Sequence, residues 1–315
     1  MKAPRFKLYH LNLSLVFVTI LVATALSGCA GNKQEFRTAL SSSPQSASID
    51  DASNAQPPLP ELTSYDYERL GDAHLQSGNF SMAFVQYDKS LKLSPGDVQV
   101  LYKIGLAFLL AGKNQEAVQE FQSVIKLDPE YFLAYEGMGQ AFFKMNKYDE
   151  AEKYLEKAVE LNPELWSAHT FLGLVYDRQQ KYTPAIGEYD RAIQLRPYEG
   201  FLYNNLGVSH LLSGKQKEAV IAFYNALQRN YSNSKVYNNL GLALAKLGKY
   251  EEALDAFRKG GNEAQAYNNL GCVCMERGEY KKAVGCFEKA IQINPTFYIK
   301  AKDNLEKAKI ALIRQ

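Results

Sequence analysis

The chain has 315 residues, 46% of them hydrophobic and 22% charged, so it carries ample apolar material for a packed core. Its 36 Lys and Arg against 34 Asp and Glu give a net charge of +2, which excludes a nucleic-acid binder led by electrostatics. Four Cys exclude a disulfide-dense secreted scaffold, and four His leave little room for a histidine-rich metal site.

Residues 1–28 have the pattern of an export signal. Lys2, Arg5 and Lys7 make a basic start, and no acidic residue precedes Glu35. Leu11 to Leu26 is largely apolar. A helix of that length reaches about 24 Å, short of the roughly 30 Å hydrocarbon core of a bilayer. A short apolar run with a small-residue exit is an export signal rather than a permanent span. The exit reads Leu26-Ser27-Gly28-Cys29, which resembles the lipobox of bacterial lipoproteins. The resemblance implies cleavage before Cys29 and diacylation of its thiol with palmitate-type chains, usually with acylation of the new amine. Several chains anchor stably where one would be marginal. Ala30 stands where an Asp would favour retention at the inner membrane, so the resemblance implies the periplasmic face of the outer membrane.

Residues 29–63 change in composition. Ser41-Ser42-Ser43-Pro44 and Pro57-Pro58-Leu59-Pro60 lie in a stretch poor in bulky apolar residues, which cannot bury enough surface to fold alone. Such a coil spans about 30–35 Å and acts as a tether. Without residues 1–28 the balance becomes 33 basic against 34 acidic residues, so the slight basicity belongs to the signal.

From residue 64 a period of 34 takes over. Gly71, Gly105, Gly139, Gly173, Gly207 and Gly241 keep that step, as do Ala83, Ala117, Ala151, Ala185, Ala219 and Ala253. Tyr87, Phe121, Leu155, Tyr189, Phe223 and Phe257 follow it, as do Pro95, Pro129, Pro163 and Pro197. A seventh set, Gly271, Ala283, Phe287 and Pro295, comes after a step of 30. The expected units are 64–97, 98–131, 132–165, 166–199, 200–233, 234–263 and 264–297. Within one unit, Tyr135, Met138, Gly139 and Phe142 share a helical face, and so do Ala151, Leu155, Ala158 and Val159. Asn146-Lys147 marks the turn between them, and Asn162-Pro163 ends the second helix. Each unit is therefore a pair of antiparallel helices that buries its apolar face by stacking on its neighbours.

The bulky–x2–Leu–Gly–x2–aromatic, Ala, aromatic, Ala and Pro pattern over 64–297 resembles the tetratricopeptide repeat (TPR). The resemblance implies an all-α fold, a right-handed superhelical solenoid of seven helix hairpins. Ala301, Leu305, Ala308 and Leu312 fall on one face of 298–315, which suits a capping helix. Two departures stand out. Tyr231 replaces the usual proline, and Gly260-Gly261 interrupts the sixth unit, which is four residues short. The expected consequence is a helix end at Lys259 and a local change of superhelix pitch.

Little points to catalysis. Stretches reading Gly-x6-Gly-Lys after Gly105, Gly207 and Gly241 have the wrong spacing for a P-loop and lack its Ser or Thr. His74, His169 and His210 hold large-residue offsets and are expected to pack at helix seams. The carboxylates are scattered over faces expected to be solvated, and no pair is singled out by spacing. The sequence gives no reason to assign a catalytic residue, a metal or a cofactor other than the covalent lipid.

Binding is better supported. At 100° per residue, offsets 2, 6, 9 and 13 of each first helix lie opposite the core offsets, and in a TPR solenoid that face lines the concave surface. It includes Leu106, Leu110, Leu133, Phe171, Leu174, Phe201, Val208, Leu212 and Leu242, an apolar stripe that suits a partner or packs laterally between neighbouring helices. Tyr-Asn-Asn-Leu-Gly recurs at 203–207, 237–241 and 267–271, placing Asn205, Asn239 and Asn269 on the same stripe. Each amide offers a donor and an acceptor, so the three form a candidate ladder for an extended peptide backbone. Such ladders occur in some superhelical TPR proteins. The alternative is that Asn serves there simply as a polar groove residue. The basic clamp for a terminal carboxylate is not evident, because Lys103, Lys144, Arg178, Lys235 and Lys246 are dispersed. Cys272, Cys274 and Cys286 do not have zinc-site spacing and stand as structural thiols, with a Cys274–Cys286 bridge as the alternative in an oxidising compartment.

These features imply a membrane-anchored scaffold that binds a protein or peptide and assembles an envelope machine, with no role for nucleic acid. TPR lipoproteins of Tad and type IV pilus assembly are similar, and the segment Gly260–Gly271 resembles the former more. That likeness implies a secretin or pilus component as partner. The alternative is an adaptor for a peptidoglycan hydrolase or protease in the periplasm.

Overall fold

Local chemistry sets where the helices start. The computed structural model describes residues 61–295 and 298–314, and the expected signal, Cys29 and the tether up to residue 60 lie outside them. Among the described residues there are fifteen α-helices and no strand. They are α1 (Ser64–Gln76), α2 (Phe80–Leu93), α3 (Val98–Leu110), α4 (Asn114–Leu127), α5 (Phe132–Lys144), α6 (Tyr148–Leu161), α7 (Trp166–Arg178) and α8 (Tyr182–Leu195). There follow α9 (Gly200–Leu212), α10 (Gln216–Gln228), α11 (Ser234–Lys246), α12 (Tyr250–Gly260), α13 (Glu263–Glu276), α14 (Tyr280–Ile293) and α15 (Tyr298–Ile313). Thr63 and Asp66 form a capping box on α1, Asp97 caps α3, Asn233 caps α11, and Asn262 with Gln265 boxes α13. Each side chain satisfies backbone N–H groups that the first turn leaves without partners. None of these helices is long and apolar enough to cross a membrane.

The chain divides between Lys113 and Asn114 into two compact units. In the first, α2 packs against both α1 and α3 around Leu75, Ala83, Tyr87, Val100 and Ile104. In the second, α5/α6, α7/α8, α9/α10, α11/α12 and α13/α14 pair as hairpins. Each even-numbered helix from α4 to α14 also packs on the odd-numbered helix that follows it. The odd-numbered helices pack on one another from α5 through α15 as well, and so form a continuous row.

Inside a hairpin, the periodic residues meet as the sequence predicts. A Cβ added to Gly139 would lie 2.4 Å from Leu155, and one on Gly207 would lie 2.6 Å from the Phe223 ring, so only glycine fits there. The periodic Ala151, Ala185, Ala219, Ala253 and Ala283 are fully buried beside them. Where one repeat passes to the next, the first-helix ring bonds the preceding proline's carbonyl. Tyr135 Oη donates to Pro129 O over 3.0 Å and Tyr203 Oη to Pro197 O over 3.1 Å, and His169 Nε2 faces Pro163 O at 3.1 Å.

The two departures from the pattern have local solutions. Without a proline, α10 ends in a Schellman turn: Asn230 takes φ 57°, its N–H bonds Leu227 O, and Tyr231 N–H bonds Ala226 O. In the short repeat, α12 ends at Gly260, one residue beyond the expected Lys259, and α13 opens at Glu263, one before the expected seam. Gly260 is required because Asn238 lies against it, with its Nδ2 donating to Gly260 O at 3.3 Å and its Oδ1 2.8 Å from where a Cβ would sit.

The turn inside each hairpin needs a residue with positive φ at offset 15. Glycine supplies it at 78, 112, 214, 248 and 278, whereas Asn146 and Gln180 take φ 60° and 62°. Asn tolerates that region but Gln strains in it. Replacing Gln180 with Gly is expected to stabilise the protein by about 0.5–1 kcal/mol, read as a raised urea midpoint. The same change at Asn146 is expected to gain less.

Candidate functional site

The row of odd-numbered helices in the second unit is where the apolar stripe, the asparagines and the buried acids meet. The structure corrects the stripe. Phe171 is 5% exposed, not presented to a partner, and packs edge-on against Phe143 of α5 with ring centroids 6.0 Å apart. Phe201 is half-buried between Trp166 and Tyr231, at 6.1 and 6.4 Å. Leu174 packs on the Ala185, Tyr189, Leu206 and Ala222 cluster, while Val208 and Leu242 pack on the core that runs from Tyr203 to Ala308. Leu133 is half-buried, and Leu212 stays open at 48%. In the first unit, Leu106 and Leu110 are half-buried against the cluster of Tyr87 and Ile104. The physical reason is that odd-numbered helices touch each other. A residue pointing away from its own hairpin then lands on the next helix of the row.

The asparagines divide in two. Asn205 Oδ1 accepts from Asn204 Nδ2 at 3.4 Å, and its own Nδ2 is buried without a partner. Asn239 and Asn269 are half-buried, and their amides bond nothing among the described residues. Two donor–acceptor groups are thus left open on α11 and α13, near the end of the row.

Two acids that spacing did not single out are built into this row. Glu136 of α5 is 3% exposed; Gln140 Nε2 donates to it at 3.0 Å, and Ser167 at the start of α7 also bonds it. Burial raises its pKa to about 7 despite those donors. Asp177 of α7 accepts from Ser209 Oγ of α9 at 2.7 Å and from Tyr189 Oη at 3.0 Å, and burial raises its pKa to about 6. Each acid ties one odd-numbered helix to the next, so not all carboxylates lie on solvated faces. In the first unit Lys103 bridges Glu68 and Asp72 at 2.6 and 2.8 Å, and Tyr87 Oη donates to Asp72. His169 Nδ1 lies 2.6 Å from Glu188 Oε2, as a seam residue. Among the described residues no three His, Cys, Asp or Glu side chains gather as metal ligands.

Models of the tetratricopeptide repeat match residues 67–97, 107–146, 137–200, 234–260 and 264–297, together more than half of the chain. The chain belongs to the tetratricopeptide-repeat family. Solved structures similar to it include the MamA protein, at 30% identity over 53% of this chain and 92% of that one, TM-score 0.47. A MamA from Desulfovibrio magneticus RS-1 is 26% identical over 53% and 95%, TM-score 0.49. The Cut9-Hcn1 hetero-tetramer of APC/C is 22% identical over 78% and 48%, TM-score 0.54, a likeness of fold. No curated protein matches the chain. The all-α TPR fold expected from the period is the one observed.

In TPR terms, Glu136 holds offset 5 of its repeat and Asp177 offset 12, between the core offsets and those assigned to the groove. A polar residue at offset 5 or 12 facing a Ser on the following first helix is the signal that would have found them. Glu136 also sets a pH dependence. Its folded pKa lies above the unfolded value of 4.5, so the stability it contributes is full below about pH 4.5 and lost as pH rises towards 7. Glu136→Gln keeps the hydrogen-bonding shape and removes the charge. It is expected to stabilise the protein by roughly 1–3 kcal/mol at pH 8 and by little at pH 4.5, measured by urea denaturation at both pH values.

Proposed function

We propose that this TPR protein is a lipid-anchored scaffold of a bacterial envelope that holds an extended segment of a protein partner along its odd-numbered helices. The observation that carries the reading is the pair of half-buried amides, Asn239 on α11 and Asn269 on α13, which bond nothing among the described residues. Each amide can donate to a peptide carbonyl and accept from a peptide N–H, which holds a main chain without reading its side chains. Leu212, exposed on the same row, adds an apolar contact. Anchoring rests on the Leu26-Ser27-Gly28-Cys29 box, and the outer-membrane address on Ala30. A role in assembling a pilus or secretion machine, with a secretin or pilus subunit as the bound protein, rests on the likeness of the Gly260–Gly271 segment to Tad lipoproteins.

Replacing Asn239 and Asn269 together with Ala removes the amides without touching the core. Capture of pilus or secretin subunits by crosslinking in the native envelope is expected to fall about tenfold or more, with helical content unchanged by circular dichroism. Undiminished capture would sink the binding role of this row, and recovery of a hydrolase in place of pilus subunits would replace the machine. Cys29→Ala is expected to accumulate as an uncleaved, unlipidated precursor. Normal lipid labelling of that variant would refute the anchor.

A further inference from the structure

Offsets 11 and 23 of a repeat face each other across the hairpin. In the third repeat they are Phe142 of α5 and Tyr154 of α6, whose rings stack 5.3 Å apart and nearly parallel, at 12°. In the last repeat the same two offsets are Cys274 of α13 and Cys286 of α14. Both belong to one core cluster, Cys274 buried within it and Cys286 packed against it. Cys274 is 1% exposed, Cys286 is half-buried, and both are free. Cys272, two residues from Cys274, points to the other side of α13, where Asn304 Nδ2 of α15 lies 3.6 Å from its Sγ. One of three cysteines is therefore set apart, and the other two occupy a site that brings facing side chains together.

We propose that Cys274 and Cys286 are a redox pair that closes to a disulfide across the terminal hairpin, with a low-molecular-weight or protein disulfide as oxidant. Cys286 is the sulfur that solvent reaches. Its thiolate attacks the oxidant's disulfide, forming a mixed disulfide and releasing one thiol. Cys274 then attacks the Cys286 sulfur and the second thiol leaves, the two cysteine protons ending on the two released thiols. Two electrons have moved from the cysteine pair to the oxidant. Cys274 is the better placed of the two for the closing step. It is buried at the offset that faces Cys286, in the core cluster against which Cys286 packs. The neighbouring Cys274 thiol and burial push the Cys286 thiol up, so its first attack is the slow step at neutral pH.

A staple here has a structural use. This hairpin has another hairpin on one side and the single helix α15 on the other, so it opens more readily than one held between two hairpins. The bridge would join the helix that carries Asn269 to α14, on which α15 packs. Physiological oxidation rests on the exported location proposed above, since such a bond persists in an oxidising compartment and not in a reducing one.

The test uses the full-length purified chain, equilibrated with oxidised glutathione, alkylated, digested and sequenced by mass spectrometry. The expected result is one linked peptide pair joining Cys274 to Cys286, lighter by two hydrogens, with Cys272 alkylated. Hydrogen exchange in α13 and α14 should slow by on the order of a hundredfold in the oxidised protein, the factor that closing so short a loop gives, and return on adding dithiothreitol. Separate alkylation of both residues, stable glutathione adducts on either, or a bridge to Cys272 would overturn the pairing. Cells lysed into alkylating agent provide the second arm. A chain that bridges in vitro but is trapped fully reduced from cells leaves the pair standing and overturns the exported location instead.

Discussion

The contact between a bare glycine Cα and a large side chain of the facing helix sets the spacing on which the rest of the structure depends. It recurs as Gly71 on Tyr87, Gly139 on Leu155, Gly173 on Tyr189, Gly207 on Phe223, Gly241 on Phe257 and Gly271 on Phe287, and in each a Cβ would fall 2.3–2.7 Å from the opposing atoms. Protein interiors are packed too tightly to absorb such an overlap. The ring lies where a methyl group would be, and the two backbones approach as closely as the ring's thickness allows. Tyrosine can fill this position because its hydroxyl finds an acid at the hairpin's edge, Asp72 for Tyr87 and Asp177 for Tyr189.

A hairpin so built has no core of its own beyond that seam, and its remaining apolar faces are covered by the hairpins before and after it. In the second unit, the even-numbered helices contribute their coverage to the next odd-numbered helix, and the odd-numbered helices also cover each other. Polar groups caught in this second kind of contact must be satisfied across the repeat boundary, because water is excluded. Glu136 with Ser167 and Asp177 with Ser209 are that solution. Asn304 of α15 donates to Asn268 of α13 in the same way, at 3.1 Å. Asn239 and Asn269 have no such partner, and the groups left over are those that a bound segment would satisfy.

The period made the hairpins legible, because a glycine, an alanine and a large residue at fixed offsets are the residues that the close approach demands. The turns were legible for the same reason at the five glycines, less so at Gln180, where the position enforces a left-handed backbone on a residue that does not advertise it. What the sequence did not reveal is the relation of one repeat to the next. A helical wheel places Phe171 away from its own core but says nothing of Phe143 on the preceding first helix, which buries it. Glu136 and Asp177 looked solvated on the same wheel, and the inter-repeat rotation that buries them is written in no single helix. Gly260 was legible as a break, but its contact with Asn238 was not, because that needs the pairing of α11 with α12.

With the spacing fixed by glycine, the chain fills the place where offsets 11 and 23 face each other in different ways. Phe142 and Tyr154 fill it with two stacked rings. Leu244 and Ala256 fill it with aliphatic groups, and both are buried. His210 and Ala222 underfill it, which leaves a pocket of about 280 Å³ lined also by Asp190, Tyr203, Leu206 and Ile221. Burial there lowers the His210 pKa, and its Nδ1 has no partner. Cys274 and Cys286 place two small side chains there, in one core cluster. The site varies freely because nothing about the hairpin's geometry is decided there. The same freedom makes it the place where one repeat can acquire a chemistry that its neighbours lack.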